Sequence, residues 1–408
     1  MQQQLTPFLS QKIRFFSFLA MILLVFVHGY NLNERYLQPF TLVNEPLTFT
    51  TFTEYFLANG LFRFRIPLLF IISGYLLAMN DERPYMELLK KKFKTLMVPY
   101  FLWSTIGLGT AVALSYWSIT SEAVQAAHLQ PVQKPFADYT AGDWLSAILW
   151  PTSFQLWFIR CLFVYNLLYP VLRSGLSKLP WLLFTLFTLM WLGTIGFVVI
   201  EGEGLLFFSL GIWLFKRRKN ISYQPSKIFL VVMATDFILL TVLKTWLAFE
   251  GLTFLDWIPL TITLMLLHKA VIALGLLVAW FSMDAVVTYF MKRRWFANLT
   301  DFSFMIYALH VPLVTYLIDP VFHLLQPFQH YRFITFIFLP IALIAFSIVT
   351  GMFLRNVTPS LYALLTGNRG LRHQSYQETE MMQPEVVVAT ATYTDKRPAS
   401  SESPTLVS

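Results

Sequence analysis

Charge is scarce in this sequence: Asp, Glu, Lys and Arg make up only 13% of its 408 residues. A water-soluble domain carries about a quarter, so the chain lacks the polar surface that an aqueous fold of this size needs. Cysteine is nearly absent. The one thiol, Cys161, excludes a disulfide framework, and no Cys/His spacing resembles a zinc site. A small-x-small cleavage site is also missing after the first apolar run, where the chain reads His28-Gly29-Tyr30-Asn31. That run is therefore expected to stay as a helix and not to be removed as a signal peptide. No internal repeat is evident.

What is present is apolar. Hydrophobic residues reach 56%, with 40 Phe and 12 Trp, and the mean hydropathy is +0.59. Runs near the roughly 20 residues that a spanning helix needs fall at 13–30, 60–79, 95–117, 154–172, 181–200, 204–216, 227–249, 259–283, 302–319 and 333–354. The predicted fold is all-α: a polytopic membrane protein of about ten transmembrane helices. The run at 204–216 is short, which tilt, an earlier start or a thinner patch of bilayer would accommodate.

The formal net charge of +8 would fit a nucleic-acid partner, but the basic residues sit in short runs between apolar segments. That placement sets orientation in a bilayer, so membrane lipids are the expected environment and no nucleic acid is. With the N-terminus cytoplasmic, seventeen basic residues fall on the inner side, among them Lys12, Arg14, Lys90, Lys91, Lys92, Lys94, Arg217 and Arg293. Only Arg35, Lys134 and Arg332 fall outside. The alternation supports ten helices with both termini cytoplasmic. Residues 1–366 form the transmembrane domain. Residues 367–408 turn polar, cannot bury enough apolar surface to fold, and read as a disordered cytoplasmic tail.

Ionisable residues inside hydrocarbon cost at least about 2.5–3.5 kcal/mol on insertion scales, so each needs a reason. The candidates are His28, Arg63, Arg65, Arg160, Asp236, Lys244, His268, Lys269 and His310. His28, near the outer end of the first helix, is either a packed histidine or a general base, since imidazole titrates near neutrality. Arg14 lies 14 residues earlier, about 21 Å down the helix, so the two cannot touch one reacting atom. Arg14 either binds a phosphate at the inner mouth or snorkels and sets topology. Arg63 and Arg65, two apart, are expected on nearly opposite sides of a helix, with Pro67 able to kink it and Ser73-Gly74 permitting close helix contact. Arg160 stands about two turns into its helix, after Trp157-Phe158. Lys244 reads as a snorkelling cation, and Asp236 as a partner for one of the basic groups.

Five stretches together resemble the acyltransferase 3 family of integral membrane O-acyltransferases. They are Lys12-Ile13-Arg14 through Val27-His28; Arg65-Ile66-Pro67 through Ser73-Gly74-Tyr75; the basic run into Val98-Pro99-Tyr100 with Trp103; Leu156-Trp157-Phe158-Ile159-Arg160 with Tyr169-Pro170; and Phe302 through Leu309-His310. The resemblance implies a ten-helix bundle that moves an acyl group, usually acetyl, from cytoplasmic acyl-CoA to an extracytoplasmic sugar of a glycan or glycolipid. His28 matches the family's catalytic histidine. Where the family often has arginine eleven residues earlier, this chain has Ser17, with Arg14 one turn before it.

On that reading His28 deprotonates the acceptor hydroxyl, and Arg65 or Arg160 stabilises the oxyanion. Arg14, Lys90, Lys91 and Lys94 hold CoA phosphates. Trp157, Ser73, Tyr75 and His310 contact substrate, and no metal is required. The protein is expected in the bacterial cytoplasmic membrane. The rival class is an exporter or flippase for a glycan or lipid, because intramembrane charges suit a transport path equally well. The outer loop at 118–153, with Trp144 and Trp150, is read as a helical cap in preference to a sugar-binding lid.

Overall fold

The computed structural model describes residues 5–29, 39–117, 134–151, 153–197, 199–251 and 259–371. The compact unit they belong to runs to Leu371, and the remaining part of the expected tail, 372–408, lies outside the described residues. So do residues 118–133 of the outer loop; its later part forms a short helix, Ala141–Leu149. Among the described residues, seven helical stretches are long and apolar enough to cross a membrane, or up to nine if each of two bent pairs crosses once.

In chain order the helices are α1 (Pro7–His28), α2 (Phe49–Tyr55), α3 (Arg65–Met79), α4 (Tyr85–Lys92), α5 (Val98–Ser115), α6 (Ala141–Leu149), α7 (Trp157–Leu167), α8 (Tyr169–Lys178) and α9 (Pro180–Leu192). A two-stranded antiparallel hairpin follows, pairing Gly196 with Glu201 and Phe197 with Ile200. Then come α10 (Gly202–Lys216), α11 (Lys227–Glu250), α12 (Leu260–Ser282), α13 (Asp284–Met291), α14 (Arg294–Leu299), α15 (Ser303–Leu325), α16 (Tyr331–Val357) and α17 (Pro359–Thr366).

Local chemistry sets many of these ends. Thr6 caps α1 by accepting from the Leu9 N–H, with Pro7 in the first turn where no donor is needed. Ser226 caps α11 in the same way, and Gly251 closes it at φ 67°, a left-handed conformation suited to glycine.

Two expected spans differ from their apolar runs. The run at 154–172 breaks at Leu168, where Pro170 opens α8 and cannot continue the α7 hydrogen-bond ladder. The run at 181–200 is helical only to Leu192. Gly193, Thr194 at φ 51° and Gly196 turn the chain into the hairpin, although the residues stay apolar. α8 and α9 meet at 119°. The short run at 204–216 is 15 residues of helix, about 22 Å, less than a full hydrocarbon thickness.

The large apolar side chains exposed on the bundle surface define its environment. Ile228 and Val231 on α11, and Phe338, Val349 and Phe353 on α16, are each more than half exposed. A water-exposed surface would not repeat this along whole helices; a lipid-facing one does. Inside, Phe16, Phe70, Tyr165, Phe208 and Tyr362 are fully buried. α3 and α10 are locked backbone to backbone. A Cβ at Gly74 would land on the Phe208 carbonyl, and one at Gly211 on the Ile71 carbonyl.

Ion pairs staple the helix ends. Lys12 meets Asp284 at 2.5 Å and Arg14 meets Asp301 at 2.7 Å, with Arg355 also on Asp301 at 3.5 Å. Asp81 takes both Arg173 (2.8 Å) and Lys216. Arg332, at the α16 start, reaches Glu45 ahead of α2 at 2.7 Å and Glu54 near the α2 end at 3.5 Å. Asp236 does not pair with a basic group as expected. It is exposed on the outward face of α11, because Phe237 and Met233 take the inward positions.

Candidate active site

The site begins at a wide turn. Between α2 and α3 the chain winds as a π-helix, Phe56–Leu61, which frees main-chain carbonyls that an α-helix would consume. Arg63 Nε donates to the Ala58 carbonyl at 3.0 Å, and its guanidinium also reaches the Asn59 side chain. Lys244 Nζ donates to the Asn59 carbonyl at 2.6 Å, with the Tyr55 ring 4.9 Å away. Gly60 makes this approach possible, since a Cβ there would collide with Thr241 of α11. Lys244 is thus fully buried and does not snorkel: the freed carbonyl offers it a closer partner than the headgroups.

α3 starts at Arg65, so Pro67 falls in the first turn and removes no intrahelical bond, and no kink is needed. Residues 62–64 form a turn and not a helix. The opposite-faces expectation for Arg63 and Arg65 therefore fails, and both line one cavity. Arg65 is 4% exposed. Its Nη1 donates to the Phe62 carbonyl at 2.9 Å, while its Nε makes no hydrogen bond.

His28 ends α1, where Gly29 caps the helix 2.8 Å (from a would-be Cβ) from Pro340 Cγ of α16. The His28 ring meets Phe154 edge-on at 5.1 Å and lies 5.4 Å from the His310 ring. His310 Nδ1 is 2.8 Å from the Tyr307 carbonyl and 3.2 Å from that of Ile306. Carbonyls only accept, so Nδ1 carries the hydrogen and Nε2 is left as an acceptor. The 154–156 turn that presents Phe154 is stitched to α15: Tyr307 Oη donates to the Gln155 carbonyl at 2.6 Å, and Gln155 Nε2 donates to the Ala308 carbonyl at 3.1 Å.

Several of these groups border a cavity of ≈ 760 Å³, within the range of small-molecule sites. Its lining comes from two sets of elements: His28, Arg63, Arg65, Phe154, Trp157 and Tyr307 from α1, the turn into α3, and the starts of α7 and α15, and Trp191, Glu201, Glu203, His268 and Lys269 from α9, the hairpin, α10 and α12. The second set was not assembled by the sequence reading, beyond naming His268 and Lys269. Its signal was a pair of acidic residues, Glu201 and Glu203, at the head of the shortest apolar run. Glu201 stands on the hairpin, and its carboxyl is pushed up to about 6, first by burial and then by neighbouring Glu203.

The other expected site residues fall elsewhere. Arg160 lies outside the cavity lining, with Nη1 donating to the Leu149 carbonyl at 3.3 Å and its guanidinium 5.5 Å from the Trp150 ring. Ser73 and Tyr75 are half-buried along α3, Tyr75 edge-on to Phe215 at 5.3 Å, and neither lines the cavity. His310 sits behind His28, fully buried. The deepest α1 residue of the lining is Leu24. Arg14, ten residues and about 15 Å further along the helix, is already held by Asp301 and by the Ala297 carbonyl at 2.5 Å. Lys90, Lys91 and Lys94 are exposed on and just after α4. Among the described residues, no cluster of three or more His, Cys, Asp or Glu is arranged to hold a metal ion.

Helices with apolar side chains exposed along their length, around a chamber lined by His, Arg, Lys and Glu, define an integral membrane protein. The chain belongs to the acyltransferase 3 family, whose model, described as an acyltransferase domain, matches residues 13–353. It is a membrane acyltransferase, transferring groups other than aminoacyl groups. Among curated proteins it is similar to the succinoglycan biosynthesis protein ExoH of Rhizobium meliloti (strain 1021), at 25% identity over 327 residues, covering 77% of this chain and 81% of that protein. No solved structure matches it significantly.

Proposed function

We propose that the protein transfers an acyl group, acetyl in the simplest case, from cytoplasmic acyl-CoA to a hydroxyl of an extracytoplasmic glycan or glycolipid, in the bacterial cytoplasmic membrane. In this reading the bundle crosses ten times with both ends inside, α10 counting as a short span, and residues beyond the compact unit form a cytoplasmic tail. The basic inner loops support the direction, and the relative named for succinoglycan biosynthesis supports a glycan acceptor.

The observation that carries the reading is that His28 and Arg65 line the same cavity. The His28 imidazole takes the proton of the acceptor hydroxyl as its oxygen attacks the thioester carbonyl. The developing oxyanion is met by the guanidinium of Arg65, which lines the cavity and has an unpartnered Nε. The C–S bond then breaks, and the CoA thiolate leaves with the proton returned by His28. Arg160, turned to Trp150 and Leu149, is the weaker candidate for the oxyanion role.

His310 orients the base from behind by closing its face. The donor reaches the chamber from the side of Arg14 and the Lys90–Lys94 run, where exposed lysines receive phosphate as point charges. Trp157 borders the reacting carbon. Ser73 and Tyr75 take no direct part.

Detergent-purified protein given acetyl-CoA tests this. The wild type consumes the thioester, and His28→Ala abolishes consumption while keeping the same elution profile and thermal midpoint. Near-normal turnover in His28→Ala removes the base. Movement of glycolipid in vesicles with no thioester turnover by the wild type would favour an exporter instead.

A further inference from the structure

The reaction described above uses one wall of the chamber. The wall that the hairpin and the first half of α12 contribute has no task in it, yet it is firmly held. Tyr165 clamps the hairpin end: its Oη donates to the Glu201 carbonyl at 3.3 Å and accepts from the Glu201 N–H at 3.2 Å. Gly202 packs so tightly that a Cβ there would sit 2.6 Å from the Trp191 nitrogen, and a Cβ at Gly204 would strike the Tyr165 ring. Such contacts fix where the two carboxylates stand.

Glu203 is oriented by the Trp191 indole, which donates to its Oε2 at 3.1 Å. The Lys269 ammonium lies 5.3 Å over the same indole. Glu201 is the exception in this frame. Its carboxylate makes no hydrogen bond or ion pair, and it lines the chamber while remaining accessible to solvent. His268, also in the lining, is 5% exposed, and its buried Nδ1 has no partner, as the buried Arg65 Nε has none.

The chamber thus presents unfilled hydrogen-bond capacity of both kinds at once. Carboxylates accept only, and ammonium and guanidinium groups donate only. A ligand that satisfies both within a few ångströms must carry several groups able to donate and accept together. Vicinal hydroxyls of a sugar ring do so. A lipid chain does not, and a phosphate dianion, which accepts but cannot donate, would leave the Glu201 carboxylate without a partner.

Resting on the acyltransferase reading, we propose that this wall is the acceptor subsite: Glu201 and Glu203 accept hydrogen bonds from hydroxyls of a pyranose, and Lys269 donates to its oxygens. The ring held there turns one further hydroxyl toward His28. Acceptor selectivity then resides in the hairpin and α12, not in the outer loop at 118–153.

The test uses full-length protein in nanodiscs, labelled acetyl-CoA, and graded amounts of a glycolipid extract from cells lacking the gene, which carry the unmodified acceptor. Glu201→Gln keeps the side chain's size and removes its charge. It is expected to raise the half-saturating amount of extract about ten-fold, with the saturating rate within two-fold and the half-saturating acetyl-CoA concentration unchanged. Lys269→Gln gives the same pattern, and serves if Glu201→Gln fails to match the wild-type thermal midpoint. An unchanged acceptor half-saturation in both variants overturns the subsite. So does an equal rise for acetyl-CoA, which would put this wall on the donor. A wild type that consumes no acetyl-CoA with or without extract overturns the acyltransferase reading itself, a different outcome from either.

Discussion

Replacing Arg65 by Met separates chemistry from stability at one buried position. In the fold, Arg65 gains a single hydrogen bond, Nη1 to the Phe62 carbonyl, worth about 0.5–1.5 kcal/mol net. Against that stands a guanidinium that is 4% exposed, makes no ion pair and has an unpartnered Nε. Losing the first is offset by losing the second, and Met fills the space along the stem. The thermal midpoint should therefore move little or rise. Turnover should behave differently. Removing a donor from an oxyanion site costs about 10²–10³ in kcat, or about 2.7–4 kcal/mol. Arg65→Lys keeps the charge but not the planar fork, so its loss should be intermediate. The assay is steady-state acetyl transfer by purified protein, with KM for acetyl-CoA determined alongside. A kcat for Arg65→Met within three-fold of wild type would refute the oxyanion role, and a collapse of the thermal midpoint would show that the arginine is structural.

Three further outcomes follow from other parts of the molecule. Gly211→Ala drives a Cβ into the Ile71 carbonyl; overpacking of this kind costs about 1–3 kcal/mol or more, and a thermal midpoint equal to wild type would mean that α3 and α10 are not interlocked. Asp236→Leu replaces a lipid-facing carboxylate and should raise the yield of inserted protein, by the about 2.5–3.5 kcal/mol that an acidic residue costs at mid-helix; a lower yield would reveal a partner on that face. The Glu201 carboxyl, at about 6, is faced by Glu203 of α10, Lys269 of α12, and Arg160, Cys161 and Tyr165 of α7. Because burial favours its neutral form, the stability linked to it is complete below about 4.3 and is lost as pH rises through 6. Acceptor binding carries the opposite sign: it should tighten from pH 5 to pH 7 as the carboxylate forms, and Glu201→Gln should flatten that rise.

The membrane class and most of the apolar helices were legible in the residues. Apolar runs report burial in lipid directly, and His28, Arg65 and Trp157, singled out from the residues, line one cavity. What was hidden has physical causes. Hydropathy does not end where a helix ends, so the apolar stretch after Leu192 concealed a hairpin, and Leu168 concealed a break. Spacing arguments assume the element type: Arg63 and Arg65 converge because residues 62–64 form a turn. Lys244 is buried because a π-helical turn freed the Asn59 carbonyl, and no pattern in the sequence announces such a turn. Glu201 on the hairpin and Lys269 on α12 are 68 residues apart, and only packing brings them into one lining.

The central claim is that acyl transfer runs through the bundle, from a donor on one face to an acceptor on the other, with His28 as the base. Proteoliposomes of uniform orientation, with acetyl-CoA confined to the face of the basic loops and acceptor glycolipid headgroups to the opposite face, test it most directly. The account predicts acetylated acceptor with wild-type protein, none with His28→Ala, and none when donor and acceptor faces are exchanged. Transfer by His28→Ala, or equal transfer with the faces exchanged, would contradict it.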